Sequence, residues 1–191
     1  MANRGEARDL LVTTAAELIY RRGVGASGVD TITRESGVSK PTLYAHFRSK
    51  GDLVEAALEW RHERRRRELT AYLDEIGGSG IDRVLAVFDW VAEVNLASGL
   101  RGCAFLNAAV ELVEDADAPA LEVVRRHKTW WRGIFTGLLA ESAVSGREEL
   151  ADELMLLLDG AFARVLVTKG VEPVRAARRL AELAIAARTG L

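Results

Sequence analysis

The sequence has a single cysteine, three prolines and no long apolar run. Because Cys103 stands alone, an internal disulfide and a cysteine-based zinc site are excluded. The longest uninterrupted apolar runs span five residues, as at 154–158, whereas a membrane helix needs ~18. The first six residues also lack the apolar stretch of a signal peptide. These absences predict a soluble, cytoplasmic protein with no membrane partner.

The residue clusters typical of enzymes and metal proteins are missing as well. His46, His62 and His127 are widely scattered, and no Gly-x-Ser-x-Gly, His-Glu-x-x-His or phosphate-loop pattern occurs. We therefore expect no catalytic residues, no metal and no cofactor. Cys103 is interpreted as a small buried side chain, with a redox switch as the alternative.

Charge is distributed unevenly along the chain, although the net charge is only −2. Residues 1–50 hold eight Lys or Arg against five Asp or Glu, whereas residues 77–191 hold thirteen against sixteen. A basic first segment joined to an acidic body is typical of a nucleic-acid reader with a separate second domain.

Apolar residues recur with the helical spacing i, i+3, i+4 along most of the chain, and no convincing strand pattern is present. The fold class is therefore predicted to be all-α, with about nine helices. Their expected ranges are 3–22, 28–36, 40–47, 50–76, 80–98, 102–114, 118–142, 147–168 and 173–189. The helix at 50–76 would be ~40 Å long and would end at Gly77 and Gly78.

Most of the predicted helices start with a Ser or Asn that is followed three residues later by an acid. This pairing satisfies backbone donors and favours the positive end of the helix. The pairs are Asn3/Glu6, Ser27/Asp30, Ser49/Asp52, Ser79/Asp82 and Ser145/Glu148. The helix at 40–47 differs, because Ser39 is followed by Lys40 and Thr42. Its N-terminus suits a phosphate group, and random variation among caps is the alternative.

Two short helices at 28–36 and 40–47, joined through Gly37, fit a helix-turn-helix, whose second helix enters the DNA major groove. Four apolar residues are expected to anchor the pair from behind, namely Val29, Ile32, Leu43 and Phe47. Five residues of the second helix are then left to point outward, namely Lys40, Thr42, Tyr44, Ala45 and His46. Hydroxyls, a cation and small residues without any acid suit a DNA surface.

Segment 32–53 reads Ile-Thr-Arg-Glu-Ser-Gly-Val-Ser-Lys-Pro-Thr-Leu-Tyr-Ala-His-Phe-Arg-Ser-Lys-Gly-Asp-Leu. This segment resembles the signature of the TetR family of bacterial transcriptional regulators. The shared features are the Gly-Val-Ser turn, the Thr-Leu-Tyr-x-His-Phe helix and the Ser-Lys that opens the long helix. Thr33 and Gly51 depart from the family pattern. The detailed resemblance covers roughly residues 5–65, with the motif itself at 28–47.

The resemblance implies a DNA-binding domain at 1–50 and an effector-binding and dimerisation domain at 51–191. It implies a homodimer that binds a near-palindromic operator, most often as a repressor, and is released by a small, largely apolar effector. The residues that match DNA-contacting positions are Ser39, Lys40, Pro41, Thr42, Tyr44, His46 and Lys50. For two of them a structural role is the alternative: Tyr44 would pack on the first helix, and His46 would brace the backbone.

The last two helices carry more apolar surface than one buried face requires, which favours a four-helix interface between two protomers. The predicted interface residues are Leu150, Leu154, Leu157, Ala161, Val165, Val174, Ala177, Ala181 and Ala184. The alternative is that this surface forms the core of a single chain.

An effector pocket is predicted from aromatic and polar residues on the middle helices. The candidates are Phe88, Val91, Asn95, Phe105, Asn107, His127, Trp130, Trp131, Met155 and Phe162. Adjacent Trp130 and Trp131 point ~100° apart, so we expect only one of them in the core. The alternative for the whole set is ordinary core packing.

A helical adaptor that no longer binds DNA is the alternative function. The outward polar residues at 40–50 argue against an adaptor, because a protein that has lost DNA binding has no physical reason to keep them. Four consecutive arginines at 64–67 fan around their helix, so we interpret them as a solvated face, with accessory phosphate contact as the alternative.

Overall fold

The computed structural model describes residues 4–114 and 118–189, and over these residues it contains nine α-helices and no strand. The helices are α1 (Arg4–Arg22), α2 (Val29–Ser36), α3 (Lys40–His46), α4 (Lys50–Ile76), α5 (Gly80–Ala97), α6 (Ala104–Leu112), α7 (Pro119–Ala140), α8 (Arg147–Thr168) and α9 (Glu172–Thr189). The prediction of an all-α chain with about nine helices is confirmed. Within the described ranges, no helix has the length and hydropathy needed to cross a membrane.

Two of the predicted N-terminal caps form as expected. The Ser79 hydroxyl accepts a hydrogen bond from the Asp82 amide, and the Asp82 carboxylate accepts one from the Ser79 amide. At α4, the Ser49 hydroxyl accepts a hydrogen bond of 3.0 Å from the Asp52 amide. The hydrogen bonds from Ser79 lower the pKa of Asp82, and those from Arg48 and Ser49 lower the pKa of Asp52. Both carboxylates therefore stabilise helix starts as anions.

Two other predicted caps are wrong, and Asn3 lies outside the described residues. The buried Ser27 hydroxyl donates to the Gly23 carbonyl oxygen at 2.6 Å, and Gly28 occupies the cap position of α2. The hydroxyl of Ser145 donates to the Arg188 carbonyl oxygen at 3.2 Å, and Gly146 precedes α8 instead. In both cases a backbone carbonyl accepts the hydroxyl that the pattern assigned to the helix start, four residues away for Ser27 and 43 residues away for Ser145.

The chain divides into two compact units. The first unit comprises Met1–Arg65 and Ala104–His127, and the second comprises Arg66–Cys103 and Lys128–Leu191. Helices α4 and α7 each contribute residues to both units. The predicted boundary at residue 50, between a DNA-binding domain and an effector-binding and dimerisation domain, concerns function and stays a prediction.

In the first unit, α1 packs against α2, α3 and α6. Its core includes Leu11, Ile19, Ile32 and Leu43, each with at most 4% of its surface exposed. Leu10, which the helical pattern places on the core face of α1, is 45% exposed. The apolar face of α1 is therefore narrower than the sequence pattern suggests.

In the second unit, α9 packs against both α5 and α8. This packing corrects the predicted dimer interface, because most of its residues are buried inside one chain. The buried ones are Leu150, Leu154, Ala161, Val165, Val174, Ala177 and Ala181, and the half-buried ones are Leu157 and Ala184. The stripes interpreted as surplus surface are thus the core of one unit, which is the alternative interpretation of the same pattern.

Candidate nucleic-acid interface

The turn between α2 and α3 is set by Gly37, which has φ +71° in the left-handed region and caps the C-terminus of α2. A residue with a Cβ is strained in this conformation, so glycine permits the tight turn. The Ser39 hydroxyl then caps α3 by accepting a hydrogen bond of 3.2 Å from the Thr42 amide. The hydroxyls of Ser39 and Thr42 lie 2.7 Å apart and share a second hydrogen bond. The turn and the start of the second helix of the predicted motif are therefore fixed by hydrogen bonds and by the conformation of Gly37.

The inner face of α3 is anchored in the core of the first unit. Leu43 is fully buried, and Phe47, which follows the helix, is 5% exposed. The guanidinium carbon of Arg8 on α1 lies 5.6 Å from the centre of the Phe47 ring, within the range of a cation–π contact. Anchoring from behind fixes which side of α3 faces outward.

The outer face of α3 carries most of the predicted DNA-contacting residues. Pro41 and Ala45 are exposed, Tyr44 has 49% of its surface exposed, and Thr42 is half-buried. His46 is also half-buried, and its Nε2 atom is buried with no hydrogen-bond partner in the described part of the chain. This face belongs to a helix of seven residues that contains no acidic side chain.

Lys40, the first residue of α3, pairs with Asp30 in the first turn of α2, with 2.9 Å between Nζ and Oδ1. The hydrogen bond that Lys40 donates to Asp30 raises the pKa of Lys40. The sequence pattern suggests an α3 N-terminus with free donors and a free cation, and the structure corrects this. Ser39 satisfies one donor, and α2 supplies the anion across the turn.

Lys50 begins α4, and its Nζ donates a hydrogen bond of 2.6 Å to the Val24 carbonyl oxygen in the α1–α2 connection. The side chain is half-buried. Arg48, two residues earlier, is exposed over 93% of its side chain and holds Asp52 at 3.0 Å. Sequence reasoning missed Arg48, although a basic residue between α3 and α4 is the type of signal that marks a phosphate contact.

The effector-pocket candidates are divided between the two compact units. The second unit contains Phe88, Val91, Asn95, Trp130, Trp131, Met155 and Phe162, whereas Phe105, Asn107 and His127 belong to the first. Phe88 stacks on Phe135 with 5.9 Å between ring centres, and the Asn95 side chain donates to the carbonyl of Val91 on its own helix. Trp131 is buried and Trp130 is half-buried. A pocket that uses all ten residues stays a prediction.

A buried histidine pair was missed by sequence reasoning. The Nδ1 atoms of His62 on α4 and His127 on α7 lie 3.0 Å apart, and the Phe105 ring stacks on His127 with 3.5 Å between centres. Both histidines are at least 97% buried. They lie 65 residues apart in sequence, so no local pattern indicated their contact.

The arginine run at 64–67 follows a buried arginine that the pattern did not single out. Arg61 is 6% exposed, donates to the Ala16 carbonyl oxygen at 3.0 Å and lies over the Tyr20 ring. Burial lowers the pKa of Arg61. Arg64 reaches Glu17 at 4.0 Å, which agrees with local ion pairing at the start of the run.

A family model described as bacterial regulatory proteins of the tetR family matches residues 11–57, a range that contains all of α2 and α3. The transcriptional activator FasR of Mycolicibacterium smegmatis is 48% identical over 59 residues, which cover 31% of this chain but only 26% of FasR. The transcriptional repressor DhaR of Mycobacterium sp. strain GP1 is 26% identical over 178 residues, which cover 90% of this chain and 88% of DhaR.

A solved structure extends the similarity to nearly the whole chain. The crystal structure of a TetR-family transcriptional regulator from Streptomyces coelicolor superposes with a TM-score of 0.87 at 31% identity, covering 97% of each chain. The expectation that the chain is a regulator and not an enzyme is confirmed by these relatives. With this identity over almost its full length, the chain belongs to the TetR family of bacterial transcriptional regulators.

Proposed function

We propose that this regulator is a ligand-responsive repressor of the cytoplasm, which binds a near-palindromic operator as a homodimer and is released by a small, largely apolar effector. The observation that carries the DNA part is the geometry of α3. Leu43 and Phe47 fix the helix from behind, while Pro41 and Tyr44 are exposed on the opposite side. A short helix anchored in this way matches the second helix of a helix-turn-helix, which enters the major groove.

The proposed DNA contacts are Ser39, Lys40, Pro41, Thr42, Tyr44, His46 and Lys50. Lys40 and Thr42 lie at the end of α3 that reaches the base edges, and a lysine there can donate to O6 and N7 of guanine. Both lysines hold protein partners, Asp30 and the Val24 carbonyl, which DNA would have to replace or share. Such exchange is feasible for Lys40 because exposed ion pairs contribute little net energy.

Repression is favoured over activation by the extent of the similarity. The repressor DhaR aligns over 88% of its length, whereas the activator FasR aligns over 26% of its length. The second candidate function is an adaptor that does not bind DNA. The exposed face of α3 argues against it, because a helix without a partner has no need for that combination of hydroxyl, aromatic and basic side chains.

The homodimer is proposed to form through the exposed sides of α8 and α9, not through the buried stripes predicted from the sequence. On α8, Leu156 is 75% and Val167 81% exposed, and Gly160 and Ala163 lie between them at helical spacing. On α9, Leu180 is 51% and Leu183 66% exposed. Exposed apolar residues that recur along two helices packed on each other form a larger patch than a monomer usually exposes, and two such pairs supply the four-helix interface of a dimer.

Effector release is proposed to act along α4. This helix of 27 residues runs without interruption from Lys50 to Ile76, and at 1.5 Å per residue it is ~40 Å long. Its first residue is a proposed phosphate contact, and Leu73 near its end is buried in the second unit. An effector that displaces the end of α4 would change the position of the DNA-binding residues in the dimer.

The experiment that tests the proposal starts from a pool of random duplex DNA, from which the purified protein selects its binding sequence. We expect a near-palindrome whose half-sites lie one helical turn apart, ~34–36 Å. Selection of no consensus sequence would instead support the adaptor. A ligand of the purified protein is then titrated with and without the operator. Linkage requires the operator to weaken ligand binding by the same factor by which the ligand weakens operator binding, typically 5- to 150-fold. Equal ligand affinities with and without the operator would therefore exclude the switch.

A further inference from the structure

A cavity of about 190 Å³ lies within the first compact unit, beside the first turn of α4. Its lining residues come from the α1–α2 connection and from the adjacent ends of α4, α6 and α7. They are Val24, Lys50, Gly51, Val54, Leu112, Ala118, Pro119 and Ala120. Of these described lining residues Lys50 alone carries a charge, so they form an apolar space with one cation at its wall. None of these residues belongs to the predicted effector pocket.

Lys50 is the charged residue of this cavity, and among the described residues it has no carboxylate partner. Its ammonium group has three donors, and the Val24 carbonyl accepts one of them at 2.6 Å. Among the residues that the structure describes, no carboxylate pairs with it, whereas Lys40 pairs with Asp30 and Lys128 with Asp159. A half-buried cation beside an apolar surface gains free energy from an anion that reaches it there.

We propose that this cavity binds a small carboxylate with an apolar body, with the carboxylate on Lys50 and the body against Val24, Val54 and Leu112. The size follows from the volume, because a cavity of ~150 Å³ accommodates benzene and the remaining space admits one carboxylate group. A ring or a chain of about six carbons fills this volume. The site lies next to the proposed DNA surface.

A bound carboxylate and a DNA phosphate would compete for the same ammonium group. This consequence rests on the proposed function, because it requires Lys50 to contact DNA. The binding site itself does not depend on DNA, and it is tested without DNA so that the two can fail separately.

The test uses isothermal titration of the full-length protein with benzoate and, as the uncharged analogue, benzyl alcohol. We expect one benzoate per chain, bound at least tenfold more weakly by Lys50→Met, with benzyl alcohol bound equally by both proteins. Leu112→Phe, which fills the cavity from its half-buried wall, should weaken both ligands. The matched controls are Lys169→Met and Val113→Phe, two exposed positions outside the cavity, and both should bind like the wild type.

Equal benzoate affinity of the wild type and Lys50→Met would overturn the proposal, as would benzoate binding that Leu112→Phe leaves unchanged or the absence of saturable binding. Thermal unfolding of each variant verifies that it is folded. In a second arm, saturating benzoate should weaken operator binding by the wild type roughly fivefold or more. Operator affinity that stays the same with benzoate bound would overturn the competition for Lys50.

Discussion

The ammonium nitrogen of Lys40 lies 2.9 Å from a carboxylate oxygen of Asp30, so the first residue of α3 is tied to the first turn of α2. Both side chains are largely exposed, at 52% and 81%. The pKa of Lys40 is raised by this hydrogen bond, so the lysine stays charged throughout the neutral range. In the proposed complex, DNA would therefore have to bind the Lys40 ammonium group in place of the Asp30 carboxylate.

Replacing Asp30 with Asn should strengthen DNA binding, because it removes a negative charge close to the phosphates and frees Lys40. We expect a two- to tenfold gain in affinity for operator and non-operator DNA, measured by fluorescence anisotropy. Glu35→Gln is the matched control, since Glu35 is an acid of the same helix that pairs with Arg22. A gain of equal size in the control would show a general charge effect and not the release of Lys40.

Replacing Lys50 with Ala should weaken binding to all DNA sequences alike, because it removes a phosphate contact. The slope of log affinity against log salt should become shallower by ~0.9 for the lost contact. Lys50→Arg should keep most of the affinity and the slope, and exposed Lys169→Ala should keep both. An unchanged slope for Lys50→Ala would mean that Lys50 makes no phosphate contact.

Charging the exposed side of the last two helices should separate the dimer without unfolding the chain. We expect Leu156→Glu combined with Leu183→Glu to be monomeric in light scattering with the helical circular dichroism of the wild type. Leu96→Glu, which alters a residue of α5 with 55% exposure, is the control that should remain dimeric. A dimer that survives both charges, or a wild type that is already a monomer at micromolar concentration, would contradict the proposed interface.

Acid should remove the contribution of the Asp82 cap. The pKa of Asp82 is lowered from 3.8 by hydrogen bonds from Ser79, so its stabilisation is fully present above that pH and is lost as pH falls through the folded-state value. Asp82→Ala should therefore lower the thermal midpoint at pH 7, and this deficit should shrink at an acid pH below 3.8. Asp74→Ala, at an exposed position of α4, is the control. A deficit for Asp82→Ala that is the same at both pH values would exclude a role for the charge.

The features that the sequence predicts well are those decided over a few residues. The Ser49–Asp52 and Ser79–Asp82 caps join positions three apart, and both form. The Ser27 cap fails because the Gly23 carbonyl oxygen, four residues earlier, accepts its hydroxyl, and the Ser145 cap fails because the distant Arg188 carbonyl oxygen does. The nine helix ranges agree within two residues at each end for the same local reason.

Apolar periodicity identifies a buried face but does not identify what buries it. Ala177 and Ala181 are buried by the other helices of one chain, whereas Leu180 and Leu183 stay exposed on the far side of the same helix. The apolar pattern does not predict the contacts around the α1–α2 connection either, because their partners lie far apart in sequence. The Gly25 amide donates to Glu111 at 2.7 Å across 86 residues of sequence, and Lys50 reaches Val24 across 26.

The most direct test of DNA recognition by α3 is the ratio of two affinities, for the selected operator and for a scrambled duplex of equal length, measured at physiological salt. We expect the wild type to prefer its operator by ~10³-fold or more. Thr42→Ala should reduce this preference at the base pair nearest Thr42 while retaining general binding, since Thr42 lies in the first turn of α3, the proposed base-contacting end. Equal affinities of the wild type for the two duplexes would contradict the account.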